Sequence, residues 1–176
     1  MRSARPTSLL LFLALAVTLG GCASSPGPRA WAASVCTALA PWRAEIGTLT
    51  TRTQQQMTAA TTPRQAKENL MRLFGGAESA SETARAGVQQ AGVPDVDRGA
   101  QVAQSFTASL TAVRDAYGRA KAGIEALATA PTKTFYAQVT AVVDKLNAEY
   151  ERSELDTTRL DSKELKAAFD EVPECR

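Results

Sequence analysis

Histidine is missing from all 176 residues, and aromatic side chains make up only 6% of them. Histidine is the usual general base near neutral pH and the commonest metal ligand. Its absence removes Ser/His and Cys/His nucleophilic machinery and most zinc, copper and haem sites. The expectation is therefore a protein that is not an enzyme, with no catalytic residue, no metal and no cofactor of the usual kind. So few rings also leave little to stack a sugar, which argues against a glycosidase built on paired carboxylates. Long hydrophobic runs are missing too. The apolar stretch from Leu9 to Leu19 spans about half of the roughly 20 residues that a helix needs to cross a bilayer. The length suits one ordinary domain.

That short apolar stretch is flanked in an informative way. Arg2 and Arg5 precede it and Leu19-Gly20-Gly21-Cys22 follows it as a small-residue cut site, which is the order of a removable export signal over residues 1–21. Without Arg2 and Arg5 the 20 basic residues fall to 18, equal to the acidic ones. A chain with no net charge exerts no long-range pull on phosphate backbones or anionic lipid, so no nucleic-acid partner is expected.

Leu19-Gly20-Gly21-Cys22 resembles the lipobox of bacterial lipoproteins, with the basic start, short apolar core and terminal cysteine in the right order. The resemblance implies cleavage before Cys22 by signal peptidase II, a diacylglyceryl group on its sulfur and an acyl chain on its new amine. It places the protein on the outer face of the cell membrane, held there by lipid. It implies no activity, since such lipoproteins include binding proteins, enzymes and chaperones. Residues 22–29 then read as lipidated terminus and tether, and 30–176 as the folded domain. The tether segment Ala23-Ser24-Ser25-Pro26-Gly27-Pro28 reaches only about 20 Å when fully extended. With Cys22 lipidated, Cys36 and Cys175 remain as an even pair in an exported compartment, and a disulfide between them is expected.

Apolar spacing makes the rest helical. Val35, Leu39, Trp42, Ile46 and Leu49 recur at steps of three and four, one helical stripe. Ala66, Leu70, Leu73, Ala77, Ala80, Ala84, Gly87 and Ala91 form a second. Ala103, Phe106, Leu110, Val113, Tyr117, Ala120, Ile124 and Leu127 form a third, and Phe135, Val139, Val142 and Leu146 a fourth, over residues 132 to 151. Pro63, Gly92-Val93-Pro94 and Ala130-Pro131 punctuate them. Pro41 predicts a kink or a short leading helix, whereas Gly75-Gly76 lies in a rhythm that continues without a phase change. Asp161-Ser162-Lys163-Glu164 resembles a capping box opening a short fifth helix with Leu165, Phe169 and Val172 on its apolar face. The predicted fold is all-α, an antiparallel up-down four-helix bundle with a short fifth C-terminal helix that completes the fourth column. In such a bundle the fourth helix ends beside the start of the first, which brings Cys175 near Cys36.

The chain after Cys22 is also similar to small exported helical proteins of unassigned function from high-GC Gram-positive bacteria. The likeness rests on a Leu-x-x-Ala-Phe run at Leu165 to Phe169 and a Pro-x-Cys ending at Pro173 to Cys175. It carries no catalytic residue.

Candidate sites are few. Glu149, Glu151, Glu154 and Asp156 form an acidic cluster without the glycine turn of a calcium loop, and read as a solvated helix end. Asp95 and Asp97 read as capping and dipole partners at the opening of the third helix. Trp31, Trp42, Phe74, Phe106, Tyr117, Phe135, Tyr136 and Tyr150 read as core or seam residues rather than a ligand cage. The tether enters beside the first helix, so the opposite, membrane-distal end carries the turns at Thr61-Thr62-Pro63 and Ala130-Pro131-Thr132. Thr62 and Thr132 are therefore the candidate partner-binding residues. Two functions fit: a membrane-anchored, non-catalytic helical module that binds an envelope protein or other envelope component, or a carrier of a small apolar ligand held between helices. Close helix approach favours the first, and a lined pocket the second.

Overall fold

The computed structural model describes residues 25–153 and 162–176. The lipobox with Cys22, and Glu154, Asp156 and Asp161, lie outside the described residues. Among the described residues there is no strand. The elements are α1 (Pro28–Gln56), α2 (Pro63–Gln90), α3 (Gly99–Glu125), α4 (Thr132–Glu151), α5 (Lys163–Glu171) and a closing 3-10 turn at Pro173–Cys175.

Local chemistry sets most boundaries. Pro28 and Pro63 sit in the first turns of α1 and α2, where a missing N–H costs nothing. Gly92, at φ 75°, takes the left-handed conformation that ends α2. Ser162 caps α5 by accepting from the Leu165 amide. α1 runs as one helix through Pro41 rather than starting with a separate short piece. Pro41 and Thr37, whose carbonyl loses its helical donor, are both exposed, so that carbonyl is not buried without a partner. α2 is continuous through Gly75-Gly76 because the packing needs the space: a Cβ at Gly76 would stand 2.8 Å from Leu49 Cδ1. The opening of α3 departs from expectation. Its N-cap is Arg98 in the left-handed region, with no side-chain cap, so Asp95 and Asp97 do not cap it. The chain there is instead set by crowding, since a Cβ at Gly99 would fall 2.1 Å from the Pro94 carbonyl oxygen.

The helices pack as expected for a bundle. α1 lies on α2, α2 on α3 and α3 on α4, while α5 and the 3-10 turn lie on α1. α4 touches α2 but does not pack on α1. The element that reaches the start of α1 is therefore α5, not the end of α4. Across the α1–α2 seam, Gly87 meets Ala38, Ser81 meets Trp42 and Gly76 meets Leu49. Across α2–α3, Lys67 meets Leu127, Gly75 meets Lys121 and Glu82 meets Arg114.

Two apolar clusters result. One gathers Trp31, Val35 and Leu39 of α1, Ala84 and Val88 of α2, Phe106 and Leu110 of α3, and Leu165 and Phe169 of α5. The other gathers Leu70 and Phe74 of α2, Ala116, Ala120 and Ile124 of α3, and Leu146 of α4. On α2 the buried residues Ala66, Leu70, Ala77 and Ala84 lie on the stripe read in the sequence, and Phe74, Ser81 and Val88 lie one residue beyond it. Both flanking helices press on α2, so its buried face spans the two seams, with Gly87 on the α1 side. Ser81 is admitted to that core because its hydroxyl is satisfied twice, accepting from Trp42 Nε1 at 3.0 Å and donating to the Ala77 carbonyl at 2.8 Å.

Candidate functional site

The end of the molecule away from the start of α1 carries both candidate residues. There the α1–α2 turn and the α3–α4 turn are joined side to side. Tyr136 Oη donates to the Thr61 carbonyl at 3.3 Å, and Lys67 Nζ donates to the Leu127 carbonyl at 2.8 Å, just past the end of α3. The second bond supplies a donor and a positive charge where helical carbonyls lack partners. The two turns thus form one surface.

Thr62 and Thr132 are both exposed on it, but they do different things. Thr62 is the N-cap of α2 in a reciprocal capping box: its oxygen accepts from the Gln65 amide at 3.4 Å and its own amide donates to Gln65 Oε1 at 3.0 Å. Its hydroxyl also donates to Gln65 Oε1 at 2.8 Å, so its polar groups serve the helix start. Thr132 is the first residue of α4 and presents its side chain to solvent, with Pro131 as the N-cap. Thr61 is tied inward, donating to the Gln56 carbonyl at 2.9 Å and accepting from the Thr58 amide at 2.8 Å. The exposed residues of this end include Thr132, Ala59 and Ala60, with Arg64 and Lys133 beside them. The capping box was legible as Thr-x-x-Gln at Thr62 to Gln65. Tyr136 and Lys67 carried no local signal, because their partners lie 75 and 60 residues away.

The opposite end is built from the chain's beginning and its close. The Asp95 amide donates to the Pro26 carbonyl at 2.9 Å, and Trp31 Nε1 donates to the Gly92 carbonyl at 2.9 Å. Arg29 pairs with Glu171. Cys36 and Cys175 stand at disulfide distance, with sulfurs 2.00 Å and Cα atoms 5.0 Å apart. Pro26 is thus already fixed to the domain, and α1 begins at Pro28, inside the segment 22–29 read as tether.

Along the flank between these ends run ion pairs that link neighbouring helices. Glu82 accepts from Arg85 and from Arg114 of α3, each at 2.7 Å, and these two guanidiniums hold its carboxyl down at about 2. Glu149, one of the acidic cluster, pairs with Arg119 at 2.9 Å, so that carboxylate ties α4 to α3. Glu151 is exposed. Among the described residues no group of three or more His, Cys, Asp or Glu side chains is placed to hold a metal ion. Of the aromatic residues, Trp31, Trp42, Phe74, Phe106 and Phe135 are buried, whereas Tyr150 is 41% exposed beside Tyr117. Burial, with Tyr150 next to it, pushes the Tyr117 hydroxyl up to about 12.

The seams between helices are narrow. Added Cβ atoms would stand 2.8 Å from Ala38 at Gly87, 2.8 Å from Glu78 at Gly118 and 3.2 Å from Val142 at Gly123. Small residues let these helices close on one another. No described helix is long and apolar enough to cross a membrane. The chain matches no protein-family model, no curated protein and no solved structure.

Proposed function

We propose that this chain is a lipid-anchored, non-catalytic interaction module of the cell envelope that docks a partner protein or envelope component on its two-turn end. The observation that carries the reading is the joining of those turns by Tyr136 to Thr61 and Lys67 to Leu127, which makes one surface out of two loops. The anchor half rests on Leu19-Gly20-Gly21-Cys22, with diacylglycerol and an N-acyl chain on Cys22. Pro26 is fixed at the other end of the domain, so a short tether from Cys22 turns the two-turn end away from the membrane. The pairing of ascending α1 positions with descending α2 positions, and of α2 with α3 in the same manner, supports an antiparallel up-down order. The closed seams at Gly76, Gly87 and Gly118 favour this reading over an apolar-ligand carrier.

Two measurements test it. Mass spectrometry of the native protein should find an acylated Cys22 as the first residue, and an unmodified terminus elsewhere overturns the anchoring. Crosslinking in envelope preparations should then give discrete adducts that disappear in Ala59→Arg and Thr132→Trp but persist in Lys166→Glu at the far end. Thr62 is left intact because changing it would disturb the α2 cap. Adducts unchanged in both two-turn variants overturn the docking surface.

A further inference from the structure

The shortest α-helix among the described residues is also the one held by a covalent bond. α5 has nine residues, shorter than the roughly 12 to 15 that make an isolated helix even marginal in water. It lies on α1 and the 3-10 turn, and its backbone packs on none of α2, α3 and α4. Leu165, Ala168, Phe169 and Val172 are buried, and Phe169 is the hub: its ring stacks on Phe106 at 5.8 Å and meets the edge of Trp31 at 6.0 Å. The ion pair between Arg29 and Glu171 joins side chains that are 68% and 56% exposed, so solvent weakens it. Beyond this packing, what fixes the element is the link from Cys175 to Cys36. Cys36 is 1% exposed under the 3-10 turn, while Cys175 lies on the partly open side.

We propose that α5 and the 3-10 turn form a strap clamped on α1 by the Cys36–Cys175 bond, and that a dithiol reductant releases it and uncovers Trp31 and Phe106. In the step, a thiolate of the reductant attacks Sγ of Cys175. The Cys36–Cys175 bond breaks, a mixed disulfide forms on Cys175, and Cys36 leaves as a thiolate that takes up a proton. The second thiol of the reductant, losing its proton, displaces Cys175 and closes the reductant's own disulfide. Cys175 also takes a proton, so two electrons and two protons pass to the protein. α1 to α4 keep their mutual seams, because the bond crosses none of those between α1 and α2, α2 and α3, or α3 and α4. The strap is thus a redox-controlled cover on an aromatic patch, independent of the docking surface at the other end.

Hydrogen exchange on the full chain, oxidised and after reduction with dithiothreitol and alkylation of both cysteines, tests this. Amides of residues 165–172 should lose protection about 100-fold more than those of residues 70–84 and 110–124, which stay the slowest to exchange. Cys175→Ser, measured without alkylation, should reproduce the reduced pattern and excludes wedging by the alkyl groups. Protection of α5 that survives in both forms shows that packing alone fixes it and overturns the proposal. So does a loss spread equally over α2 and α3, which makes the bond a staple of the whole domain. Cysteines that resist dithiothreitol until the domain unfolds overturn it as well.

Discussion

α4 and α5 both pack outside the α1–α2 and α2–α3 seams and are held there in opposite ways. α4 has 20 residues and buries only Phe135 and Leu146 within its span, relying on length and on the Arg119–Glu149 pair across to α3. α5 has nine residues, buries Leu165, Ala168 and Phe169, and is tied down beyond its end by Cys175. The lesson is that a long helix can be held by a thin seam spread over many turns. A short one needs dense burial and a covalent clamp, since its few backbone hydrogen bonds offset little of the entropy of ordering it.

Four experiments would break or sharpen that contrast, taken from the largest expected effect. Replacing both Cys36 and Cys175 with Ser should lower stability to unfolding by up to about 5 kcal/mol, the chain-entropy value for a loop this long, with most helix retained in mild conditions. Denaturant titration followed by circular dichroism measures it, and a loss below about 1 kcal/mol would show that the α5 end needs no clamp. Next, Trp31→Ala should cost about 3 to 5 kcal/mol and Leu146→Ala about 2, because Trp31 is fully buried among α2, α3 and α5 side chains whereas Leu146 faces one thin seam. The reverse order would place the stability of the domain at the α4 end.

The third comparison lies within the two-turn end. Thr62→Ala should cost about 1 kcal/mol through loss of the α2 cap, and Thr132→Ala less than about 0.5, both read from thermal melts. Equal losses would mean that Thr132 has a structural partner. The smallest effect concerns pH. Glu82 is held at about 2 by Arg85 and Arg114, below its ordinary 4.5, so its contribution to stability is present above that ordinary value and is lost as pH falls toward 2. Melting temperatures between pH 5 and pH 2 should fall less steeply in Glu82→Gln, and an unchanged slope would show that the pair linking α2 to α3 is silent.

Much of this architecture can be read locally. Pro28, Pro63, Pro131 and Ser162 mark helix starts by what they do to one turn of backbone, and the chain carries them where the helices begin. The span of α4 and the continuity of α2 through Gly75-Gly76 follow from apolar rhythm alone. The opening of α3 was not legible, because Arg98 caps it for a reason found in the Pro94 carbonyl pressed against Gly99, a contact that no propensity encodes. Of the site, Thr62 and Thr132 were found as exposed turn residues, but the Gln65 partner that occupies the Thr62 hydroxyl separates their roles.

The sequence by itself determined that the chain is helical and where most of its helices start and stop, since periodicity and capping are properties of neighbouring residues. Only the tertiary structure decided that α4 stays off α1, that α5 takes that place, and that Tyr136 and Lys67 weld two distant turns together. Those outcomes depend on contacts between residues far apart in the chain, as where glycine at 76, 87 or 118 lets one pair of helices close.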